Sequence, residues 1–544
     1  MPTMNPLTRA NACLVAVAAL TAALPSGIAA QAAALPDPAC SQVRAAPLTS
    51  GSLVLDLARL DRLGDLSRAQ PAHVTRRSRD MLERDCAAGA PLEIAASGVT
   101  LRVLPAAVGT WLNTGYAEDR NNGIVWAGRG LSASLAFGAV ASWGALSAGF
   151  IPEAAWQQNR EFELVPRTAP GFSPYVHAHY YEIDLPQRFG PESYGTFDPW
   201  GQSFVRVDAH GLAAGWSHEA FRVGPALRNP LLMSGSAGGF HHYFLGTSRP
   251  LDLWIATLDI ELIAGHTDES EYFDERPGND RTEFAMWALA LDPRWVDGLS
   301  LGVASAFQYR PDAGRRSDYL RGFFIPRQEN LDGNQLLSLY ARWIFPQSGA
   351  EIWAEWGRDD RFAGVYDDLL PESDHSQAYT VGFQKVTAID DDADVRVQAE
   401  LTALQEKGEL RSGRPFAIWY THSTIRQGYT HEGQILGAGI GPGADAQFIA
   451  VDYLRDTWFA GAFVERVRRN DGSAAALEDR KWYPYEHDVA LTGGVRGLAH
   501  VGPFSLGGTL SLSRRLDRDF LADATNLQLV TEVTWWPGRA TGEE

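Results

Sequence analysis

Four groups of side chains in this 544-residue chain have types and spacings suited to chemistry. His177 and His179 stand two apart, so on a strand they share a face. With Glu182 and Asp184 they could ligate a metal. No second cluster closes that coordination, and lining of a loop or lumen is the stronger reading. The run from Asp390 to Asp394 is rich in carboxylate oxygen, as calcium sites are. It lacks calcium-loop spacing and falls between two strand candidates, so a solvated turn is expected. Asp359 and Asp360 lie between Arg358 and Arg361. A carboxylate pair works on one substrate only if both groups face it, and neighbouring strand residues face opposite ways. Ser203, Ser234 and Ser236 accompany His210, His218, His241 and His242, the ingredients of a Ser–His hydrolase. No nucleophile-elbow pattern supports that reading. The expectation is therefore a non-enzyme with no catalytic residue, no metal and no cofactor.

Arginine is the more informative residue. Of the 47 basic residues, only Lys385, Lys407 and Lys481 are lysine. Arginine makes bidentate contacts to carboxylates and stacks on aromatic faces. Arg310, Arg315, Arg316 and Arg321 surround Tyr319, a surface on which a sugar polymer could dock. The plainer reading is coding bias together with Arg–Glu ladders inside a barrel.

The elements that must position these residues are strands. From about Leu92 to Trp536 short alternating segments recur, among them 254–264, 283–291, 299–309, 447–454 and 504–513. Apolar residues alternate there with Ser, Gly, Gln, Arg or Glu, the period of half-buried strands. Trp287, Trp295, Trp343, Trp458 and Trp535 fall near segment ends. No blade-length repeat supports a propeller. A transmembrane antiparallel β-barrel explains the pattern, since only one face of each strand need be apolar. The segments amount to roughly 16–18 strands of the length that such barrels use.

The N-terminus differs. Arg9, the apolar run 13–24 and Ala29-Ala30 read as a secretory signal over residues 1–30. Cys40 and Cys86 then remain as an even pair in an oxidising compartment, expected to form a disulfide. Between them, residues 50–86 read as two short helices, the second after Pro71. The expected organisation is a signal over 1–30, a helical plug or cap over 31–90, and the barrel over 91–544. The formal charge of −19 argues against nucleic acid as a partner.

Several strings in the long connections resemble the Wzi family of outer-membrane capsule-assembly proteins. They are Asp184, Pro186, Arg188 and Gly190 in one segment, then Gln202-Ser203, then Arg228-Asn229-Pro230 after Gly224-Pro225. Ser234 to Phe240, Arg249, Tyr429 and His431, and Gly441-Pro442 follow in the same order. Two departures stand out: Val223 replaces the family's Trp before Gly-Pro, and a polar tail follows Trp536. The resemblance implies an outer-membrane barrel that assembles or retains capsular or exported polysaccharide, working as a monomer among outer-membrane lipid. A porin-like channel is the alternative, and an outer-membrane hydrolase a weaker one. The acidic balance adds a condition: the glycan must be neutral, or must meet a local arginine cluster.

Overall fold

The structure is a computed structural model. It describes residues 74–76, 92–118, 122–164, 183–184, 192–235, 237–271, 281–310, 333–345, 348–359, 377–390, 392–404, 419–422, 424–455, 457–469, 488–519 and 522–538. The signal, Cys40, Cys86, His177, His179, Pro186, Arg188, Gly190, Ser236, Asp360, Arg315, Arg316, Tyr319 and Arg321 lie outside the described residues.

The dominant element is one 24-stranded sheet in which every paired strand is antiparallel to its neighbours. Five neighbouring pairs continue through a kink as single staves. Val99–Val103 runs on into Ala106–Asn113, Gly130–Ala136 into Ala139–Trp143, and Leu146–Phe150 into Glu153–Gln157. Tyr194–Asp198 runs on into Phe204–Ala209, and His242–Thr247 into Leu251–Leu253. Leu92–Ala96 is a short arm paired to Val99–Val103. Eighteen staves remain, at the upper end of the expected count. The last, Ala522–Trp535, pairs with Ala106–Asn113 and closes the barrel. Closure matters because an open sheet edge facing lipid would leave backbone groups unpaired.

The alternation read from the sequence sorts the staves into two faces. Val381, Phe383, Ile449, Val451, Leu491, Val495, Leu510 and Leu512 point outward and are exposed. Trp143, Trp254, Trp295, Trp343, Trp458 and Trp535 ring one end. That is the apolar band and aromatic girdle of a transmembrane barrel. Short turns such as Gly144-Ala145 and His210-Gly211 lie at this end, and long connections such as that between Tyr309 and Gly333 at the other. The Asp390–Asp394 run forms one of these turns, as expected, and Arg455 pairs there with Asp392.

Inward positions near the turn end are polar and paired. Arg342 meets Glu351 at 2.5 Å, and Arg396 and Arg496 both hold Asp452 at 2.8 Å. Arg206 grips Asp208 with two bonds of 2.7 Å. The arginine excess is thus partly a lumen ladder.

Toward the loop end the lumen is filled by two inserted segments. After Ser217 the chain turns inward and lays down Phe221–Val223 and Met233–Ser234 as a small internal sheet. Residues 419–444 pack beside it. Phe221, Leu231, Met233, Phe240, Trp419, Tyr420, Tyr429 and Leu436 share one core with wall residues Phe284, Met286, Leu336 and Tyr340. The only described part of the expected helical plug, Val74–Arg76, is a strand, not a helix. It pairs antiparallel with Phe221–Val223. The reason is local: Val-Thr suits an extended chain, and the internal sheet offers an edge that needs a partner. No helix occurs among the described residues.

Candidate functional site

A loop placed inside a barrel must satisfy its backbone amides there. The segment Gly224–Leu231 solves this with two carboxylates from the wall. Glu400, on Ala393–Leu404, accepts from the amides of Leu227 at 2.7 Å and Asn229 at 2.8 Å. It also accepts from the Arg228 amide and from Trp353 Nε1. Glu355, on Ala350–Asp359, accepts from Ala226 and Leu231, both at 2.9 Å. The prolines at 225 and 230 have no amide to satisfy. Gly224 is required twice over: its φ is +93°, and a Cβ there would run into the Glu355 carboxylate. Arg228 reaches Glu465 at 2.8 Å and lies 3.8 Å over the Phe448 ring. Thr380 Oγ1 donates to the Asn229 carbonyl. Arg228, Asn229 and Pro230 are therefore a buried strap.

Most other motif residues share this scaffolding role. Asp184 accepts from the Ser270 amide at 2.6 Å and its hydroxyl at 2.7 Å, and donates its own amide to the Gln427 carbonyl. It is a bracket between loops, with no metal-type cluster beside it among the described residues. Gln202 bridges Glu153 and the Ala220 amide. Ser203 Oγ accepts from the Ile151 amide, and Ser234 Oγ donates to the Leu436 carbonyl. Phe240 is in the core, and Tyr429 stacks on Tyr420 at 5.7 Å. Gly441 turns at φ +99° before buried Pro442. Arg249 is exposed at the turn end, far from the others along its stave. Arg310 is half-buried just beyond Leu299–Tyr309.

The open site lies where the wall is interrupted. Among the described residues, Tyr194–Asp198 pairs on one side only, with Glu153–Gln157. Beyond Ser217 and His242 the ladder is not continued by the inward-turning chain. A cavity of about 260 Å³ fills this notch. Asp198, Pro199 and His218 form one side, Ile124 and Trp126 another, and Gly238, Glu432 and Gln434 the back. Gly239 sits against the His218 carbonyl so closely that a Cβ would collide with it.

Its polar groups are set by bonds behind them. His218 Nδ1 donates to the Gly201 carbonyl at 3.0 Å and lies 3.5 Å from Asp198. That tautomer leaves Nε2 as an acceptor. Gln434 Oε1 accepts from the Gly238 amide, which makes its NH2 the donor of that side chain. His431 Nδ1 accepts from the Asp268 amide at 3.1 Å, while the Asp268 carbonyl takes the Glu432 amide. Glu432 and Gly433 both have positive φ, +47° and +79°, at the tip of the hairpin Thr430–His431 to Gln434–Ile435. Such a turn favours Asn or Gly, so a glutamate there is held at a cost. Beside the cavity His241 touches His218, with ring centroids 4.4 Å apart, and stacks on Trp216 at 5.6 Å. Trp200 meets Trp216 edge-on at 5.3 Å. Burial, with the neighbouring imidazoles, pushes His241 down to about 4, so it is neutral at neutral pH.

A closed barrel with a packed interior and a loop-end notch invites comparison with solved barrels. The chain superposes on Wzi, an outer-membrane protein involved in group 1 capsule assembly in Escherichia coli and a carbohydrate-binding β-barrel. The TM-score is 0.57 at 12% identity, covering 90% of this chain and 99% of that one. The chain shares its fold with Wzi. Overlap with OprD and OccD3 of Pseudomonas aeruginosa is looser, with a TM-score of 0.39 for each. Identity is 10% and 9%; 81% of this chain is covered in both, against 96% and 92% of theirs. At those scores they say nothing of lumen or function. No family model and no curated protein matches the sequence.

The sequence singled out the strap and brackets, but not the cavity. Trp126, Asp198 and the hairpin that carries Glu432 and Gln434 come from three separate parts of the chain, and no spacing links the three. The one available signal was Glu432-Gly433 at a hairpin tip. Of the described residues considered for hydrolysis, only His218 lines the cavity.

Proposed function

We propose that this chain is an outer-membrane barrel that holds exported or capsular polysaccharide at the cell surface, as a monomer and without turnover. The observation that carries this reading is the loop-end cavity, open beside the Trp200–Trp216 pair and set over a lumen filled by a packed core. A solid lumen suits holding better than passage. Aromatic faces with a few fixed hydrogen-bonding groups suit sugar rings, which carry apolar faces edged by hydroxyls. The shared fold with a carbohydrate-binding barrel supports the same reading. Several weak contacts along one polymer then retain it through effective concentration.

Deletion of the gene in its own host tests this directly. The expected result is loss of cell-associated glycan with release into the medium. Unchanged cell-associated glycan sinks the reading. A planar-bilayer recording of the purified chain separates it from the porin alternative, which requires steady conductance.

A further inference from the structure

We propose that the notch cavity takes a neutral sugar residue and rejects uronic or otherwise anionic ones. The inference rests on the glycan-holding reading and adds the class of sugar.

Charge is the first argument. The described lining includes Asp198 and Glu432, and none of it is Arg or Lys. Arg281, the nearby cation, is drawn to Asp268 at 3.3 Å. A sugar carboxylate in this space would face two like charges with no Arg or Lys among the described lining residues, an arrangement that selects against it. Hydrogen bonding is the second. Asp198 and His218 Nε2 accept, and Gln434 NH2 donates, which matches adjacent hydroxyls able to do both. Ile124 and Trp126 supply an apolar wall for the ring face. Space is the third. A Cβ on Gly238 or on Gly123 would meet nothing within 4 Å, so the cavity stands open above both. Among the described residues the wall beside the cavity is unpaired along Tyr194–Asp198, which leaves room for a chain to pass while one residue is seated.

The test uses the purified full-length chain in detergent micelles on an array of neutral and uronate-bearing oligosaccharides. Two variants accompany it: Gly238→Leu, whose Cβ enters open space and whose side chain occupies the cavity, and Asp198→Asn. Wild type is expected to bind neutral members, changing less than about twofold between low and high salt. Gly238→Leu is expected to abolish that binding, and Asp198→Asn to weaken it roughly tenfold. Heat-modifiable migration on gels reports that each variant is folded. Binding confined to uronate members, full neutral binding by a folded Gly238→Leu, or no binding at all overturns the proposal. If deletion releases glycan from cells while folded Gly238→Leu still binds neutral sugars, retention stands and this cavity is not the site.

Discussion

The strap and the notch both present carboxylates near the loop end, yet to opposite effect. Glu355 and Glu400 are fully buried and spend their lone pairs on the chain's own amides. Asp198 gives one oxygen to the Trp200 amide, and with Glu432 it lines an open cavity. The first pair turns a loop into a plug, and the second leaves a place for something else. Residues whose every bond is internal make the scaffold, and the site lies where the scaffold stops bonding to itself. The recognisable Arg228-Asn229-Pro230 motif falls on the scaffold side of that line.

The sharpest way to break the contrast is to remove the strap's anchors. Replacing Glu355 and Glu400 together by Ala leaves five buried amides without acceptors, each costing about 1–3 kcal/mol. The strap is expected to leave the lumen, so that the double variant conducts in a planar bilayer and loses its resistance to heat. A silent, equally stable double variant would show that the plug is held by its apolar core alone. Arg228→Ala should be smaller. It removes the arginine from Glu465 and the stack on Phe448, costing about 3 kcal/mol on the scale of broken buried pairs. Arg228→Lys restores charge but neither the fork nor the stack, and should recover less than half of the loss in melting temperature.

How much of this was readable in the sequence follows from what each feature depends on. Stave segments such as Asp445–Arg455 obey a local period of two, so alternation revealed them and the barrel they form. The plug depends on pairing between distant segments. Phe221–Val223 meets Val74–Arg76 from nearly 150 positions away, as the residue numbers show, and no local pattern marks that contact. Val74–Arg76 falls inside a stretch read as helical, because periodicity cannot register a partner strand. Asp184 drew attention as a possible metal ligand, but its role comes from Ser270 and Gln427, which only the folded loops deliver. Glu355 and Glu400 stand in alternating strands, and nothing local marks their purpose, because the amides they serve lie on another connection.

Within the notch, the aromatic shelf and the imidazoles can be separated from the scaffold. Trp200 is about half exposed, and its ring meets Trp216 and His241, while its amide donates to Asp198 Oδ1 through the backbone that an Ala substitution keeps. Trp200→Ala should lower glycan affinity roughly fivefold, for a stacking loss of about 1 kcal/mol, and leave the melting temperature within a degree or two. A large drop in stability instead would move Trp200 to the scaffold side of the comparison.

The smallest effect concerns His241. Its pKa is lowered to about 4 by burial first and by His218 and His266 next, against about 6.5 when unfolded. Between these values the unfolded chain binds a proton that the folded chain refuses. Stability therefore rises with pH through this window and is lost as pH falls from about 6.5 to about 4. The side chain is only partly buried, so solvent screening keeps the effect modest, a shift of ~2 °C in melting temperature. His241→Gln cannot take up that proton, and its melting temperature should vary less across the same window. The strap contains no histidine, so Arg228→Lys should keep the wild-type pH slope. If the slope follows Arg228 and ignores His241, the acid sensitivity belongs to the plug, and the notch is as rigidly self-bonded as the strap.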